Sequence, residues 1–279
     1  MNTILVPIDF SPASRNAFFY ALRIANLFHA KVMVFHAYNV SIPEPYLVPA
    51  SQDLFIQEEE KRIQELFEEM EREVPLEIAQ NIELEFKISL GPATDEIMYL
   101  CDSLEPGLVV MGMKSSNDLA RAILGSVCTH LIQRLAYPIL VVPEKARYQG
   151  IRNIAYASNF EEDDVRTIEE LMEFAFLYDA LIHTVHIKTR DEVSNMQEKE
   201  DAIITRFKDD IIMYRLDFED QDDIGTVEGI NHYLESHDID MLAMLTHKRG
   251  FWGRLVHSSK CKEMALKTDV PLLVFRMSN

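Results

Sequence analysis

The chain has 279 residues, of which 48% are hydrophobic, and this length allows two domains of ordinary size, each with its own core. The formal net charge of -19 disfavours nucleic acid and anionic membranes as partners, because any non-specific contact with them would begin with repulsion. No apolar run approaches the roughly 20 residues that cross a bilayer, and the N-terminus lacks signal-peptide features, so we predict a cytoplasmic protein.

Short apolar, β-branched segments alternate with longer amphipathic segments in the first half of the chain. Strands apolar on both faces that alternate with helices are typical of a parallel sheet covered by helices, and right-handed crossovers then favour an open α/β domain. The predicted strands are TILVPI, KVMVFHAY, IELEFKIS, LVVMG and PILVVP, and the predicted helices are Ser14 to Phe28, EEEKRIQELFEEMERE, Ala93 to Ser103 and Ser126 to Leu135.

The same order of segments repeats after about Arg147. RNIAYASNF resembles NTILVPIDF, ALIHTVHIK resembles AKVMVFHAY, DIDMLAMLTHK resembles PGLVVMGMK, and DVPLLVFR resembles AYPILVVP. Four matching segments in one order indicate a tandem duplication. We therefore predict an α/β protein of two tandem, open parallel-sheet domains of Rossmann-like class, residues 1–146 and 147–279, joined near EKARYQG.

Few residues have the pattern that metal binding or nucleophilic catalysis requires. His36 and His186 fall at matching places on the second strand of each half, and we interpret them as hydrogen-bonded structural histidines. Cys101, Cys128 and Cys261 are widely spaced, which favours buried or inert thiols over a disulfide framework or a zinc site. Nothing resembles a nucleophile beside a base, a zinc motif or a Walker lysine loop, so we assign no catalytic or metal-binding residue.

The segment MGMKSSNDLARAILGSV looks like a phosphate-binding loop in which one glycine has been replaced. A strand ending at Met111 and followed by Gly112 places backbone amides at the carboxyl edge of a parallel sheet, where α/β folds bind ligands. Gly125, Ser126 and Val127 would open the next helix, so their N–H groups and the helix dipole would face an anion.

Ser115 and Lys114 decide how well such a loop could work. Glycine allows positive φ and a close approach of phosphate to the backbone, whereas Ser115 at positive φ would cost about 1–2 kcal/mol. That energy corresponds to roughly ten-fold in affinity rather than to loss of binding. Lys114 could compensate by pairing its ammonium with phosphate.

With these motifs the chain resembles a tandem universal stress protein over nearly its whole length. The resemblance rests on ILVPIDFS, the VVMG strand end, the later GSV and the final YPILVVP. In nucleotide-binding members the loop reads Gly, two residues, Gly, nine residues, Gly and Ser, and here Ser115 takes the place of the second glycine. The resemblance implies that ATP or AMP binds to the first domain, ATP with Mg²⁺. It also implies a site near Pro7, with Asp9 on the nucleoside and the Ala37 backbone on adenine.

Each of these assignments has a purely structural alternative. Asp9 could instead help to cap the following helix together with Ser11 and Pro12, and the two roles are compatible. The loop could be a strand-to-helix turn that merely needs small residues.

The second half lacks every glycine of the motif, so we predict no nucleotide site of the family type there. The segment THKRGFWGRLVHSSK is basic in an otherwise acidic chain and fits two interpretations. It either binds an anion or an acidic partner with its aromatics as an anchor, or is a solvated loop whose aromatics pack on the adjoining half. The replacements are Ala157 for Pro7, Asn159 for Asp9, Leu245 for Gly112, Lys248 for Ser115, and Ser258 and Ser259 for Gly125 and Ser126.

The family resemblance implies an internal pseudo-dimer in which PILVVP and PLLVFR pair edge to edge, with further homodimerisation left open. We predict a cytoplasmic stress-response regulator that binds an adenine nucleotide, with its protein partner unidentified. The first alternative is an interaction module without nucleotide. The second, a slow ATPase or adenylate-releasing hydrolase, is disfavoured because no base or arginine finger is visible beside the loop.

Overall fold

The structure, a computed structural model, divides the chain into two compact units, Met1–Gly112 and Met113–Asn279. Several predicted residues lie outside its described part: Ser115, Asn159, Cys261 and the basic segment with its aromatics from Lys248 to Lys260. The described residues are 1–40, 49–114, 125–158, 160–187, 196–208, 216–221, 226–246 and 270–276.

The first unit is a parallel sheet whose successive strands are separated by helices. Its strand order is β3-β2-β1-β4, so the first strand lies in the interior of the sheet. The elements are β1 (Thr3–Pro7), α1 (Pro12–Phe28), β2 (Lys31–Tyr38), α2 (Pro49–Arg72), α3 (Leu76–Ala79), β3 (Leu84–Leu90), α4 (Ala93–Leu104) and β4 (Leu108–Met113), whose last residue is the first of the second unit.

Helix α1 begins and ends where local backbone chemistry dictates. The Ser11 side chain accepts a hydrogen bond from the N–H of Ser14, and Pro12 supplies a fixed φ at the first helical position. His29 ends the helix in the left-handed conformation, with φ 50°. The helix therefore starts two residues before the predicted Ser14, because a proline at its first position costs no hydrogen bond.

The second unit contains a mixed sheet with the order β5-β10-β9-β6-β7-β8. All pairs among β6 to β10 are parallel, whereas β5 and β10 are antiparallel. The elements are α5 (Ser126–Arg134), β5 (Ile139–Pro143), β6 (Asn153–Ala157), α6 (Glu162–Tyr178), β7 (Leu181–Ile187), α7 (Met196–Arg206), β8 (Leu216–Gln221), α8 (Thr226–Ser236), β9 (Met241–Thr246) and β10 (Leu272–Arg276).

The predicted pairing of the last strand of each sequence half is confirmed. Leu140 of β5 lies opposite Leu273 of β10, and Val141 lies opposite Leu272. Leu140 and Leu273 are almost completely buried, at 0% and 2% exposure. The pairing gives each of these apolar strands a hydrogen-bonded neighbour, which removes exposed sheet edges.

The repeat seen in the sequence is also present in the backbone. Positions 150 residues apart correspond, since Phe10 and Phe160 both adopt positive φ, as do His29 and Asp179. This agreement and the mostly parallel strands confirm the predicted α/β fold class. The domain boundary between residues 146 and 147 stays a prediction.

In the described part of the chain, the helices are all too short or too polar to cross a membrane.

Candidate functional site

The turn from β1 into α1 holds the first group of predicted site residues. The Asp9 carboxylate accepts a hydrogen bond from the N–H of Ser11 at 3.0 Å, and the Asp9 N–H donates to the Ser14 hydroxyl at 3.3 Å. Phe10, between Asp9 and Ser11, adopts the left-handed conformation with φ 59°. The structural role predicted for Asp9 is therefore present, because its carboxylate orders the turn that carries the Ser11 cap.

The Asp9 side chain is exposed and negatively charged at neutral pH. Burial raises its pKa, but hydrogen bonds from Ser11 and Ser14 and from the turn backbone more than offset this, so the pKa of Asp9 is lowered overall. Only part of the carboxylate's hydrogen-bonding capacity is used by the turn. It can accept a further hydrogen bond from a ligand hydroxyl.

The backbone of Ala37 points toward the end of β1. The Ile8 N–H donates to the Phe35 carbonyl at 2.8 Å, so the polar groups of Phe35 face the β1 side, whereas the Tyr38 carbonyl accepts from Gly91 on the other side. Because polar groups alternate in direction along a strand, those of Ala37 face the same side as those of Phe35. The N–H and the carbonyl of Ala37 lie beyond the last paired residue of β1, so they offer one donor and one acceptor side by side.

His36 is a structural residue, as predicted. Its Nδ1 lies 2.7 Å from the Ile8 carbonyl oxygen, and its ring lies 4.8 Å from that of Phe10. His186 repeats this contact in the second half, with Nδ1 2.9 Å from the Ser158 carbonyl oxygen. Both histidines thus tie the second strand of their half to the turn after the first strand.

Gly112 is required by packing of the first unit. A Cβ at this position would lie 2.3 Å from the carbonyl carbon and oxygen of Ala13 and 2.5 Å from the Ser14 nitrogen. The start of α1 therefore crosses β4 at backbone contact, which only glycine allows. The neighbouring Met111 and the strand-end Pro7 are buried.

Gly125, in the second unit, is not required by packing against the described residues. Among the described residues nothing lies within 4 Å of a Cβ placed there, and its φ of -52° is open to any residue. It precedes α5 without a side-chain cap, and Gly125 and Ser126 are exposed while Val127 is half-buried. The first N–H groups of α5 and the Ser126 hydroxyl can therefore serve an anion. Lys114 is exposed as well.

In the second half the corresponding turn is filled by a buried carboxyl group that the sequence analysis missed. Asp164 accepts hydrogen bonds from the hydroxyls of Tyr156 and Ser158, the latter at 2.7 Å, and from the Glu161 N–H at 2.9 Å. Asp164 is only 4% exposed and stands where the first half has Ser14. The 150-residue spacing of the repeat could have revealed this replacement.

A second replacement acts at the neighbouring strand. Ile187 stands where the first half has Ala37, and it is buried against α8, where a Cβ on Gly229 would lie 3.0 Å from its Cδ1. The second half thus fills with side chains two positions that are small in the first half. These replacements agree with the expectation that the second half has no nucleotide site of the family type. That expectation remains a prediction.

The described cysteines are buried, as predicted. Burial raises the pKa of both Cys101 and Cys128 to about 12, with a smaller contribution from Asp102 at Cys101. Neither thiol forms an appreciable amount of thiolate near neutral pH. In the described part of the chain, no three His, Cys, Asp or Glu side chains are grouped so that they could hold a metal ion.

A sequence model described as the universal stress protein family matches residues 1–143. The chain belongs to the universal stress protein family. A universal stress protein of Methanocaldococcus jannaschii is 30% identical to it over 145 residues, which cover 50% of this chain and 80% of that protein.

Solved structures extend the likeness to the whole chain. A universal stress protein from Archaeoglobus fulgidus aligns with a TM-score of 0.77 at 14% identity, over 99% of both chains. A Pseudomonas aeruginosa protein assigned to the same family aligns with a TM-score of 0.61 at 17% identity, over 99% of this chain and 93% of that chain. At these identities the likeness shows the fold alone.

Proposed function

We propose that this chain is a cytoplasmic stress-response regulator that binds one adenine nucleotide, ATP or AMP, through the site predicted in its first half. The family membership and the retained loop spacing support a nucleotide. The main observation in favour of a phosphate is Gly125, because neither its backbone conformation nor its described neighbours require a glycine. A phosphate that approaches the backbone closely does require one.

The phosphates would be held at the start of α5. The N–H groups of Gly125, Ser126 and Val127 offer hydrogen bonds, the Ser126 hydroxyl adds another, and Lys114 supplies a positive charge. The proposed site includes Ser115, which lies outside the described residues. If ATP is the ligand, Mg²⁺ would be carried mainly by its phosphates.

The nucleoside would be held at the β1 edge of the first unit. Asp9 can accept a hydrogen bond from a ribose hydroxyl, since its lowered pKa keeps it ionised. The donor and acceptor of the Ala37 backbone are suited to the edge of adenine, which presents one acceptor and one donor. Pro7, Met111 and Gly112 shape the strand ends that support these contacts.

Isothermal titration calorimetry with ATP and AMP tests the proposal. The wild-type chain should bind one nucleotide, and Gly125→Leu should abolish binding, because its side chain would occupy the phosphate position. Gln133→Leu is the matched control, since it adds the same side chain at an exposed position near the other end of α5. It should bind as the wild type does.

Three results would contradict the proposal: two equivalent sites per chain, binding indifferent to Gly125→Leu, or no binding of either nucleotide. The last result would favour the alternative in which the domain is an interaction module and the loop is only part of its architecture.

A further inference from the structure

An open groove of about 680 Å³ lies between α6 and α7 in the second unit. Phe176 and Leu177 line it with 71% and 44% of their surface exposed, and Met172 and Phe207 also contribute. Phe207 itself is buried, so the exposed apolar surface comes from Phe176, Leu177 and the half-buried Met172. Contiguous exposed apolar surface of this kind is a feature of interaction sites.

The groove has an acidic rim. Glu169, Glu173 and Arg206 line it. Glu169 is paired with Arg206 at 2.5 Å, and the Arg206 guanidinium lies 5.5 Å from the centre of the Phe207 ring. Among the described residues Glu173 has no ion-pair partner, so its charge is available to a ligand.

The first unit shows how the matching face of α1 is covered. There the short helix α3 buries Ile78, and Glu77 from the same helix lies 3.6 Å from Arg23. The Asn81 side chain donates a hydrogen bond to Asn26 at 3.3 Å. A short helix with one buried apolar side chain and one acidic side chain therefore closes this face in the first half.

In the second half the corresponding helix, α6, carries a negative charge in place of a positive one and an apolar side chain in place of a polar one. The position of Arg23 is taken by Glu173, and that of Asn26 by the exposed Phe176, since corresponding residues are 150 apart. A segment that closes this face must bring positive charge and an apolar side chain.

We propose that this groove binds a basic amphipathic helix of a partner protein. The helix would place an apolar side chain against Phe176 and Leu177 and a lysine or arginine beside Glu173. A second copy of the chain is a poor occupant, because two molecules of net charge -19 repel each other. The proposal is independent of nucleotide binding.

The test uses the full chain and a fluorescein-labelled peptide of about 18 residues, or five helical turns, built from leucine and lysine in amphipathic spacing. Fluorescence anisotropy should show binding, and a peptide with glutamate in place of lysine should not bind. Phe176→Ser and Glu173→Arg should each weaken binding about ten-fold or more. Phe176 is largely exposed, so its replacement should leave the fold intact, which circular dichroism will verify.

Tyr99→Ser is the matched control, because Tyr99 is 74% exposed on α4 of the first unit and its loss should not change the affinity. Equal binding by wild type and Phe176→Ser would overturn the proposal, since it would show adsorption by charge alone. Amide chemical-shift changes that fall outside α6 and α7 would do the same. Self-association that Phe176→Ser abolishes would instead assign the groove to a second copy.

Discussion

Replacing Gly112 by alanine should destabilise the protein strongly, whereas the same change at Gly125 should not. At Gly112 the new Cβ would lie 2.3 Å from the backbone of Ala13, a distance that must open beyond 3.0 Å. The obstacle is the first turn of α1 rather than a flexible side chain, so relief requires the helix to move. We expect a cost of about 3 kcal/mol or more, at the upper end of overpacking effects.

At Gly125 the expected change has the opposite sign. The φ of -52° suits alanine, and among the described residues no atom lies within 4 Å of the added Cβ. Alanine should therefore leave stability unchanged or raise it by about 0.4–1 kcal/mol, because it reduces the freedom of the unfolded chain.

Urea unfolding followed by circular dichroism measures both effects, and thermal melting provides a second scale. For a chain of this size, a loss of about 3 kcal/mol lowers the melting temperature by roughly 6–12 °C. A Gly112→Ala variant as stable as the wild type would refute the backbone contact between β4 and α1. If Gly125→Ala were as unstable as Gly112→Ala, the glycine would be structural and its use as evidence for phosphate binding would fail.

Three further changes test other parts of the molecule. If Ser115, which lies outside the described residues, is strained by phosphate contact, Ser115→Gly should tighten ATP binding about ten-fold by calorimetry, whereas lower thermal stability without binding would support an architectural loop. Leu140→Asp should cost more than about 3 kcal/mol in urea unfolding, because it buries an unpaired charge where β5 pairs with Leu273 of β10, and an unchanged midpoint would argue against that pairing. Cys101 and Cys128 should resist a thiol reagent at pH 8 in the folded chain and react only on unfolding, since burial keeps their pKa near 12; rapid labelling of either would contradict this.

Local patterns in the sequence were sufficient for the strands, the helices and the repeat. The alternation of apolar segments with amphipathic ones depends on hydrophobic periodicity, which neighbours along the chain determine. The capping signal Ser11-Pro12 likewise acts within one turn, although α1 begins two residues before the predicted Ser14. Helix α2 also begins before the predicted EEEKRIQELFEEMERE, and the short α3 was not predicted. The spacing of the glycine loop could also be read directly, which is why the family was recognisable from a few short motifs.

The sequence by itself thus determined the fold class and the duplication, whereas the pairing of the two final strands was an implication of the family resemblance. Only the tertiary structure separated the roles of Gly112 and Gly125, because the approach of α1 to β4 depends on residues about 100 positions apart. The repeat spacing places Asp164 and Ile187 opposite Ser14 and Ala37, but only the structure showed that both side chains are buried in the second half. It also showed that Phe176 is 71% exposed on α6, at the position that Asn26 has on α1. The physical reason is that burial and contact across a sheet depend on distances between remote segments, which periodicity along the chain does not encode.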